Sequence, residues 1–408
     1  MRRRTVLGAA ATVALAVALP AALAGSAVDP GVTATTIVLG GTSPLTGPAA
    51  AYASVARGAK AYFDSVDAKG GVAKRKMDYR IVDDAYNPAQ TVQDVRRLVE
   101  QDKVFAIFNT LGTESNLAVR DYLNQSKVPQ LFVASGATTW GRDAATYPWT
   151  IGFQPSYAAE GWVYGQYVAK TQKEAKIGVL FQNDDYGKDL LGGLERGLGR
   201  SGSRVVAAQP YEVTSSDVGS QIAKLKAAKA NVLAIFATPQ FAIQAYVFAN
   251  RLGWRPLVLC NGVSGTSNIM LLASEGGKNK TVEGTITSTI LKDPADPRWK
   301  KDPGMKQYRA ILARYAKGAN AGDVYHVYGM AVAYETVNLL KRLGVNPTRA
   351  GLMKAARSIT DPGNPFLLPG ISVKTGPGDG FPVQQGQLQR WTKGHWVPVG
   401  GLWQSTRN

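Results

Sequence analysis

Two short polar segments in the first third of the chain have the chemistry of an anion-binding site. Gly112 and Thr113 follow the apolar run Val104–Phe108, and Ser135 and Gly136 follow the next apolar run along the chain. The hydroxyl groups can donate hydrogen bonds to an anion, and the glycines let the backbone come close to a ligand. The pattern predicts a pair of anion-binding loops, although turn and helix N-cap residues have the same composition.

The elements that position these loops are strands of a parallel α/β sheet. Each apolar run has the length of a buried strand, so both loops lie at strand carboxyl ends. In an open parallel sheet, ligands bind at that end, because the following helix begins there with free N–H groups. Both loops are therefore expected on one edge of one sheet.

Strand-like and helix-like segments alternate along most of the chain. One βαβαβ half starts at Thr36 and a second starts near Lys176, which predicts two α/β lobes. After Gly284 two long helical stretches, Met305–Lys317 and Tyr325–Leu343, have no parallel strands of their own. They are expected to pack on the first lobe.

The N-terminus predicts export from the cytoplasm. Arg2 to Arg4 precede the apolar run Val6–Leu19, and small residues follow, so residues 1–27 are interpreted as a signal peptide of the Sec or Tat type. No later run is long enough to cross a bilayer. The mature protein is expected in the periplasm or on the exterior of the cell envelope.

Composition argues against several other classes of protein. The formal net charge is +18, but Lys and Arg are dispersed and no nucleic-acid motif accompanies them, so no nucleic-acid partner is predicted. The only histidines, His326 and His395, lie far apart in sequence, and Cys260 is the only cysteine. No catalytic set, metal site or cofactor is predicted, and the chain is expected not to be an enzyme.

Five aromatic residues stand at or near the starts of helices, where a side chain can face a cleft. They are Tyr52, Trp140, Tyr186, Phe241 and Tyr325. These residues are predicted to contact a ligand, with core packing as the alternative for each of them.

At the level of motifs the chain resembles solute-binding proteins of ABC importers, in the branched-chain amino acid (leucine/isoleucine/valine-binding) family. The resemblance rests on segments that include GGTSPLTGPAAAYA from Gly40, VFAIFNTLGTESNLAV from Val104, KVPQLFVASGATTWG from Lys127, GFQPSYAAEG from Gly152 and KIGVLFQNDDYGKD from Lys176. It implies a type I periplasmic-binding-protein fold, with two Rossmann-like lobes joined by three hinge crossings. The implied lobes are residues 33–152 with 288–367, and 153–287 with 368–408.

The same resemblance implies roles for individual residues. Thr113 stands where the family's hydroxyl binds the ligand carboxylate, and Ser135, Gly136 and Ala137 belong to the adjacent loop that contacts the ligand head group. Tyr52, Tyr186 and Tyr325 match aromatic positions that line the cleft. The implied partners are a small ligand and the membrane permease of an ABC importer, and the chain is expected to be a monomer.

One departure from the family pattern bears on the ligand. Amino acid binders of the family present an acid in the loop after the strand that corresponds to Pro256–Leu259, and here residues 260–265 contain none. A buried ammonium without a counter-charge costs several kcal/mol. An aromatic or other apolar carboxylate is therefore the predicted ligand. The alternatives are a branched-chain or other hydrophobic amino acid as the ligand, or a role as a sensory receptor. An enzymatic function would be supported only by turnover of a bound compound.

Overall fold

A computed structural model describes residues 29–199, 204–361 and 363–405. The predicted signal peptide, residues 1–27, lies outside these ranges. In chain order the strands are β1 (Thr36–Ser43), β2 (Lys76–Asp83), β3 (Ala106–Phe108), β4 (Gln130–Val133), β5 (Thr150–Gly152), β6 (Ile177–Gln182), β7 (Val205–Tyr211), β8 (Val232–Phe236), β9 (Leu257–Cys260), β10 (Ile286–Thr289), β11 (Thr360–Asp361), β12 (Val373–Lys374), β13 (Gln385–Thr392) and β14 (His395–Gln404).

The helices of the described residues alternate with these strands in both halves of the chain. In order they are α1 (Ala53–Asp67), α2 (Pro88–Glu100), α3 (Thr113–Gln125), α4 (Thr139–Arg142), α5 (Tyr157–Thr171), α6 (Asp185–Leu198), α7 (Gly219–Ala227), α8 (Pro239–Arg251), α9 (Ser267–Ala273), α10 (Pro303–Tyr315), α11 (Val324–Leu343) and α12 (Arg349–Ala356).

Two sheets form the centres of two lobes. The first has the order β2-β1-β3-β4-β5 and is parallel throughout. The second has the order β14-β13-β10-β9-β8-β6-β7, in which β13 and β14 are antiparallel to their neighbours and the other pairs are parallel. A small pair, β11 and β12, lies apart from both sheets. This is the α/β architecture that the alternation of segments predicts.

The long C-terminal helices pack on the first lobe. Residues of α10 and α11 share a buried core with α1 and with the first sheet, including Tyr308, Met330 and Phe63. A Cβ atom on Gly58 of α1 would collide with the backbone of His326, so glycine lets α1 and α11 pack closely. α10 and α11 therefore lie against the first sheet through this shared core.

The chain passes between the lobes at three places, which are tied to each other. It crosses after β5, then after β10, and finally before β13. Near the second crossing, the Leu368 amide donates to the Ile290 carbonyl over 2.9 Å and the Lys292 amide donates to the Phe366 carbonyl over 3.1 Å. These two bonds join the second crossing to residues 366–368 of the first lobe.

The third crossing lies later than predicted. Leu368 was the expected boundary, but Ile371, Val373 and Val383 are buried in the core of the first lobe, and the Val383 amide donates to the Phe153 carbonyl over 2.9 Å. The second lobe resumes only at β13. Residues 361–382 are rich in proline and glycine, a composition typical of a linker. The burial of Ile371, Val373 and Val383 is seen only in the packed structure.

Candidate functional site

A cavity of about 120 Å³ lies between the lobes, at the carboxyl ends of strands from both sheets. We call it the central cavity. Its lining from the first lobe includes Tyr52, Val55, Tyr86, Leu111, Gly112, Thr113, Ala134, Val324, Tyr325 and Tyr328. Its lining from the second lobe and the crossings includes Gln154, Tyr157, Glu160, Tyr186, Thr238, Gly262, Val263, Thr266, Ser288, Leu291, Asp293, Gln389 and Trp403.

Thr113 is the first residue of α3 and presents a hydroxyl whose hydrogen is free. Its Oγ1 lies 2.8 Å from Oγ of Ser135. The Ser135 oxygen already accepts from the Ala137 amide and from Nε1 of Trp140, each over 3.1 Å. A hydroxyl oxygen has two acceptor sites and one hydrogen, so Ser135 must donate to Thr113. The Thr113 O–H can then donate to a ligand.

Gly112 places this hydroxyl at the cavity wall. It has φ of 109°, which favours glycine, and a Cβ atom there would lie 2.8 Å from the Tyr86 ring. Helix α3 begins at the next residue, and its first N–H groups have no hydrogen-bond partner within the helix. Together they make an uncharged site for an anionic group.

Ser135, Gly136, Ala137 and Trp140 lie behind the lining of the central cavity. The Trp140 indole is buried against Val133 and Ala137. The prediction that Trp140 packs against a ligand ring therefore needs correction, since its N–H orients Ser135 instead. Ser135 likewise acts on the site through Thr113.

Gly136 supports the opposite wall of the cavity. Its carbonyl accepts from the Tyr157 amide over 2.6 Å, and a Cβ atom on Gly136 would lie 2.9 Å from the Tyr157 ring. Phe241 is fully buried in the core of the second lobe, where its ring centroid lies 4.4 Å from that of Tyr211. Phe241 is thus also corrected from a ligand contact to a core residue, because helix α8 turns that face toward its own sheet.

Tyrosine rings form much of the cavity surface. Tyr52 and Tyr325 meet edge to face with centroids 5.0 Å apart, and Tyr157 and Tyr186 have centroids 4.9 Å apart. Burial raises the pKa of Tyr52, Tyr157, Tyr186 and Tyr325 well above that of an exposed tyrosine, so all four are neutral at physiological pH. The Tyr325 hydroxyl donates to the Val263 carbonyl over 2.8 Å and so joins the two lobes.

Glu160 is a charged residue of the lining that sequence reasoning missed. It lies in the first turn of α5 and is only 8% exposed. Its Oε1 accepts from the Gly262 amide over 2.6 Å and from the Tyr164 hydroxyl over 2.8 Å. Burial raises the pKa of Glu160 to about 7, and the two hydrogen bonds oppose that rise.

This carboxylate changes the argument drawn from the loop after β9. That loop has no acid of its own, but its Gly262 amide holds the Glu160 side chain from α5. The premise that no counter-charge faces the cavity was wrong. The sequence did contain a signal for Glu160, an acid in the first turn of a helix among apolar residues, but that signal was not used. Glu114 and Asp185, two acids in the first turns of α3 and α6, are exposed and do not line the cavity.

The central cavity has acidic groups and no basic side chain among the described residues that line it. Asp293 is 8% exposed, and burial raises its pKa. Its Oδ1 accepts from the Ala295 amide over 2.9 Å and its Oδ2 from the Ser267 amide over 3.4 Å. A ligand with a positive group is therefore favoured over one that is only anionic.

Two other kinds of function find no support in the residues that the structure describes. Within residues 29–199, 204–361 and 363–405, no group of three or more His, Cys, Asp or Glu is arranged to hold a metal ion. In the same ranges no helix combines the length and the apolar character that a bilayer crossing demands.

Known proteins with similar sequences and structures are binding proteins. A family model for periplasmic binding proteins matches residues 36–395. A Leu/Ile/Val-binding protein homolog of Brucella melitensis is 28% identical over 328 residues, which are 78% of this chain and 82% of the relative.

Two solved structures share the fold over nearly their whole length. A branched-chain amino acid ABC transporter protein of Thermus thermophilus with bound valine has a TM-score of 0.81 and 17% identity, covering 92% of this chain and 98% of its own. A solute-binding protein of Rhodopseudomonas palustris in complex with 3,4-dihydroxybenzoic acid has a TM-score of 0.75 and 18% identity, covering 91% and 98%. The fold is that of type I periplasmic binding proteins, as the sequence predicted.

Proposed function

The chain belongs to the periplasmic binding protein family, and from that premise we propose that it captures a zwitterionic amino acid with an apolar body for an ABC importer. The ligand carboxylate binds the Thr113 hydroxyl and the first N–H groups of α3. The ligand ammonium binds Glu160, and the tyrosine rings surround the body.

The observation that carries this proposal is the buried Glu160 carboxylate in the second-lobe wall. Taking a carboxylate out of water costs free energy, which a bound ammonium offsets. In the unliganded protein this cost is expressed as the raised pKa of Glu160. The group is thus prepared for a cationic partner.

The other wall suits the opposite end of the same ligand. The Thr113 hydroxyl and the α3 N-terminus donate hydrogen bonds but carry no full charge, as befits a group that is to bind a carboxylate. A ligand that spans the cavity contacts both lobes at once. Because those contacts exist only when the lobes meet, binding favours the closed arrangement, which a permease or a sensor can recognise.

Names of relatives agree with an amino acid ligand. The Brucella melitensis relative is named a Leu/Ile/Val-binding protein homolog, and the Thermus thermophilus structure holds valine. We take these names as support for the class of ligand. Delivery to a permease, as opposed to a sensory partner, also rests on the family.

An aromatic carboxylate without an amine is the second candidate. Six tyrosines line the central cavity, and the Rhodopseudomonas palustris structure holds 3,4-dihydroxybenzoic acid. Rings stack well on such a surface. Against it, an anion would enter beside Glu160 and Asp293 with no basic side chain to balance the charge.

A thermal-shift screen of protein that has been unfolded and refolded to remove co-purified ligand separates the two candidates. Leucine, valine and phenylalanine form one set, and 4-methylpentanoate, 3-methylbutanoate and 3-phenylpropanoate form the matched set without the amine. We expect the melting temperature to rise only with the first set, since only binding to the folded state shifts it. A rise in melting temperature with the second set alone would instead support an aromatic or apolar carboxylate without an amine as the ligand.

A further inference from the structure

A second cavity of about 120 Å³ lies on the hinge side of the central cavity and shares part of its wall. Leu291, Asp293 and Gln389 line both spaces. We call it the hinge cavity. The two cavities are neighbours that meet at these three side chains.

Gln389 is the polar group at this boundary. It lies on β13 beside Thr287 of β10 and is only 5% exposed. Gln389 lines both cavities, and among the described residues its side-chain amide is paired with no protein group. An amide that faces a cavity without a protein partner can both donate to and accept from a ligand.

The charged groups of the hinge cavity are already satisfied. Oδ2 of Asp296 accepts from Nε of Arg298 over 2.7 Å, and its Oδ1 accepts from the Arg298 amide over 2.8 Å. Both oxygens of Asp293 accept from backbone amides. The group left to pair is the neutral amide of Gln389, which offers both a donor and an acceptor.

The volumes bear on the length of the ligand. A single water occupies roughly 10–15 Å³ on this scale, so each cavity holds about ten water-sized groups. A short aliphatic amino acid fills the central cavity and leaves the hinge cavity and the Gln389 amide without a partner.

We propose that the hinge cavity is a second subsite, which binds the end of an amino acid side chain that carries an uncharged amide or ureido group. This inference rests on the proposed function, which places the amino acid head between Thr113 and Glu160. The ligand class is then a zwitterion with an apolar linker and a distal neutral group that both donates to and accepts from Gln389. A distal cation would leave the Gln389 NH₂ group unpaired.

Calorimetric titration with three matched probes tests this. Nε-acetyl-L-lysine carries the distal amide, L-norleucine lacks it, and L-lysine replaces it with a charge. We expect Kd for Nε-acetyl-L-lysine to be lower than for the other two by about tenfold or more. Equal or tighter binding of L-norleucine in the unmodified protein overturns the proposal.

The variant Gln389→Leu assigns the effect to the hinge cavity. It should abolish the advantage of Nε-acetyl-L-lysine over L-norleucine. Gln209→Leu, the same change on β7 at the other edge of the sheet, should leave the advantage intact. If Gln389→Leu fails to fold, the three probes still decide the matter on the unmodified protein.

The outcomes also separate this inference from the proposed function. Binding of L-norleucine and leucine with no gain from the acetamide would leave the amino acid head site standing and remove the hinge subsite. Failure of all three probes and of leucine would remove both.

Discussion

The two walls of the central cavity hold opposite kinds of group. The first-lobe wall presents an uncharged hydroxyl on Thr113, oriented by Ser135. The second-lobe wall presents a buried carboxylate, Glu160, held by the Gly262 amide and the Tyr164 hydroxyl. Neutral hydrogen-bond donors can bind any carboxylate, whereas a buried charge discriminates strongly between ligands with and without an opposite charge. The second-lobe wall should therefore decide which ligands bind.

Glu160→Gln removes the charge that distinguishes the second-lobe wall from the first-lobe wall, and it should have the largest effect on binding. We expect it to weaken an amino acid ligand by about thirtyfold or more, since loss of one partner of a buried ion pair costs about 2–5 kcal/mol. Titration calorimetry with leucine measures the change. Glu174→Gln, at an exposed position, is the matched control. Unchanged affinity in Glu160→Gln would show that the ammonium binds elsewhere.

The pH dependence of binding is the next largest effect. Glu160 must be ionised to hold an ammonium, and its pKa in the unliganded protein is about 7. Between about pH 8 and about pH 5.5 the affinity for leucine should fall by about thirtyfold. The profile should flatten in Glu160→Gln, and a flat profile in the unmodified protein would contradict an ionised Glu160 in the complex.

The same titration acts on stability with the opposite sign. The folded-state pKa of Glu160, about 7, lies above the ordinary value of 4.5. A raised pKa contributes stability that is present below the ordinary value and is lost as the pH rises through the folded value. Glu160 therefore destabilises the unliganded protein above about pH 7, and that lost stability is what an ammonium ligand offsets.

Thr113→Ala should have the smallest effect of the three changes. Loss of one hydrogen bond to a carboxylate costs about 1.5 kcal/mol, which is about tenfold in Kd. The fold should survive, because alanine is accepted at the first turn of a helix. Thr113→Ser, which keeps the hydroxyl, should restore most of the affinity. If Thr113→Ala bound leucine unchanged, the head-group site on the first lobe would be misassigned.

The first-lobe wall could be predicted from the sequence because it is local. A strand, a polar loop and a helix start follow one another at Thr113, so the position of the hydroxyl depends on residues within a few places. Gly112, Thr113, Tyr52 and Tyr325, all predicted ligand contacts, do line the cavity from the first lobe. Whether they bind a ligand is what the variants above test.

The direction of buried aromatic side chains was beyond sequence reasoning. Trp140 and Phe241 stand near helix starts just as Tyr52 does, yet one supports Ser135 and the other fills the second-lobe core. A helix start limits where a side chain begins but not which face of the sheet it meets. That choice depends on the packing of the whole lobe.

The sequence by itself determined the α/β class, the two lobes and one wall of the site, because strand length, helix periodicity and loop chemistry are local properties. Only the tertiary structure decided the other wall. Glu160 and Gly262 are 102 residues apart, and no local pattern says that one will hold the other. The position of the third crossing likewise depends on long-range contacts, because Val383 is buried in the core of the first lobe. Charge in the cavity, and with it the nature of the ligand, comes from contacts that only folding brings together.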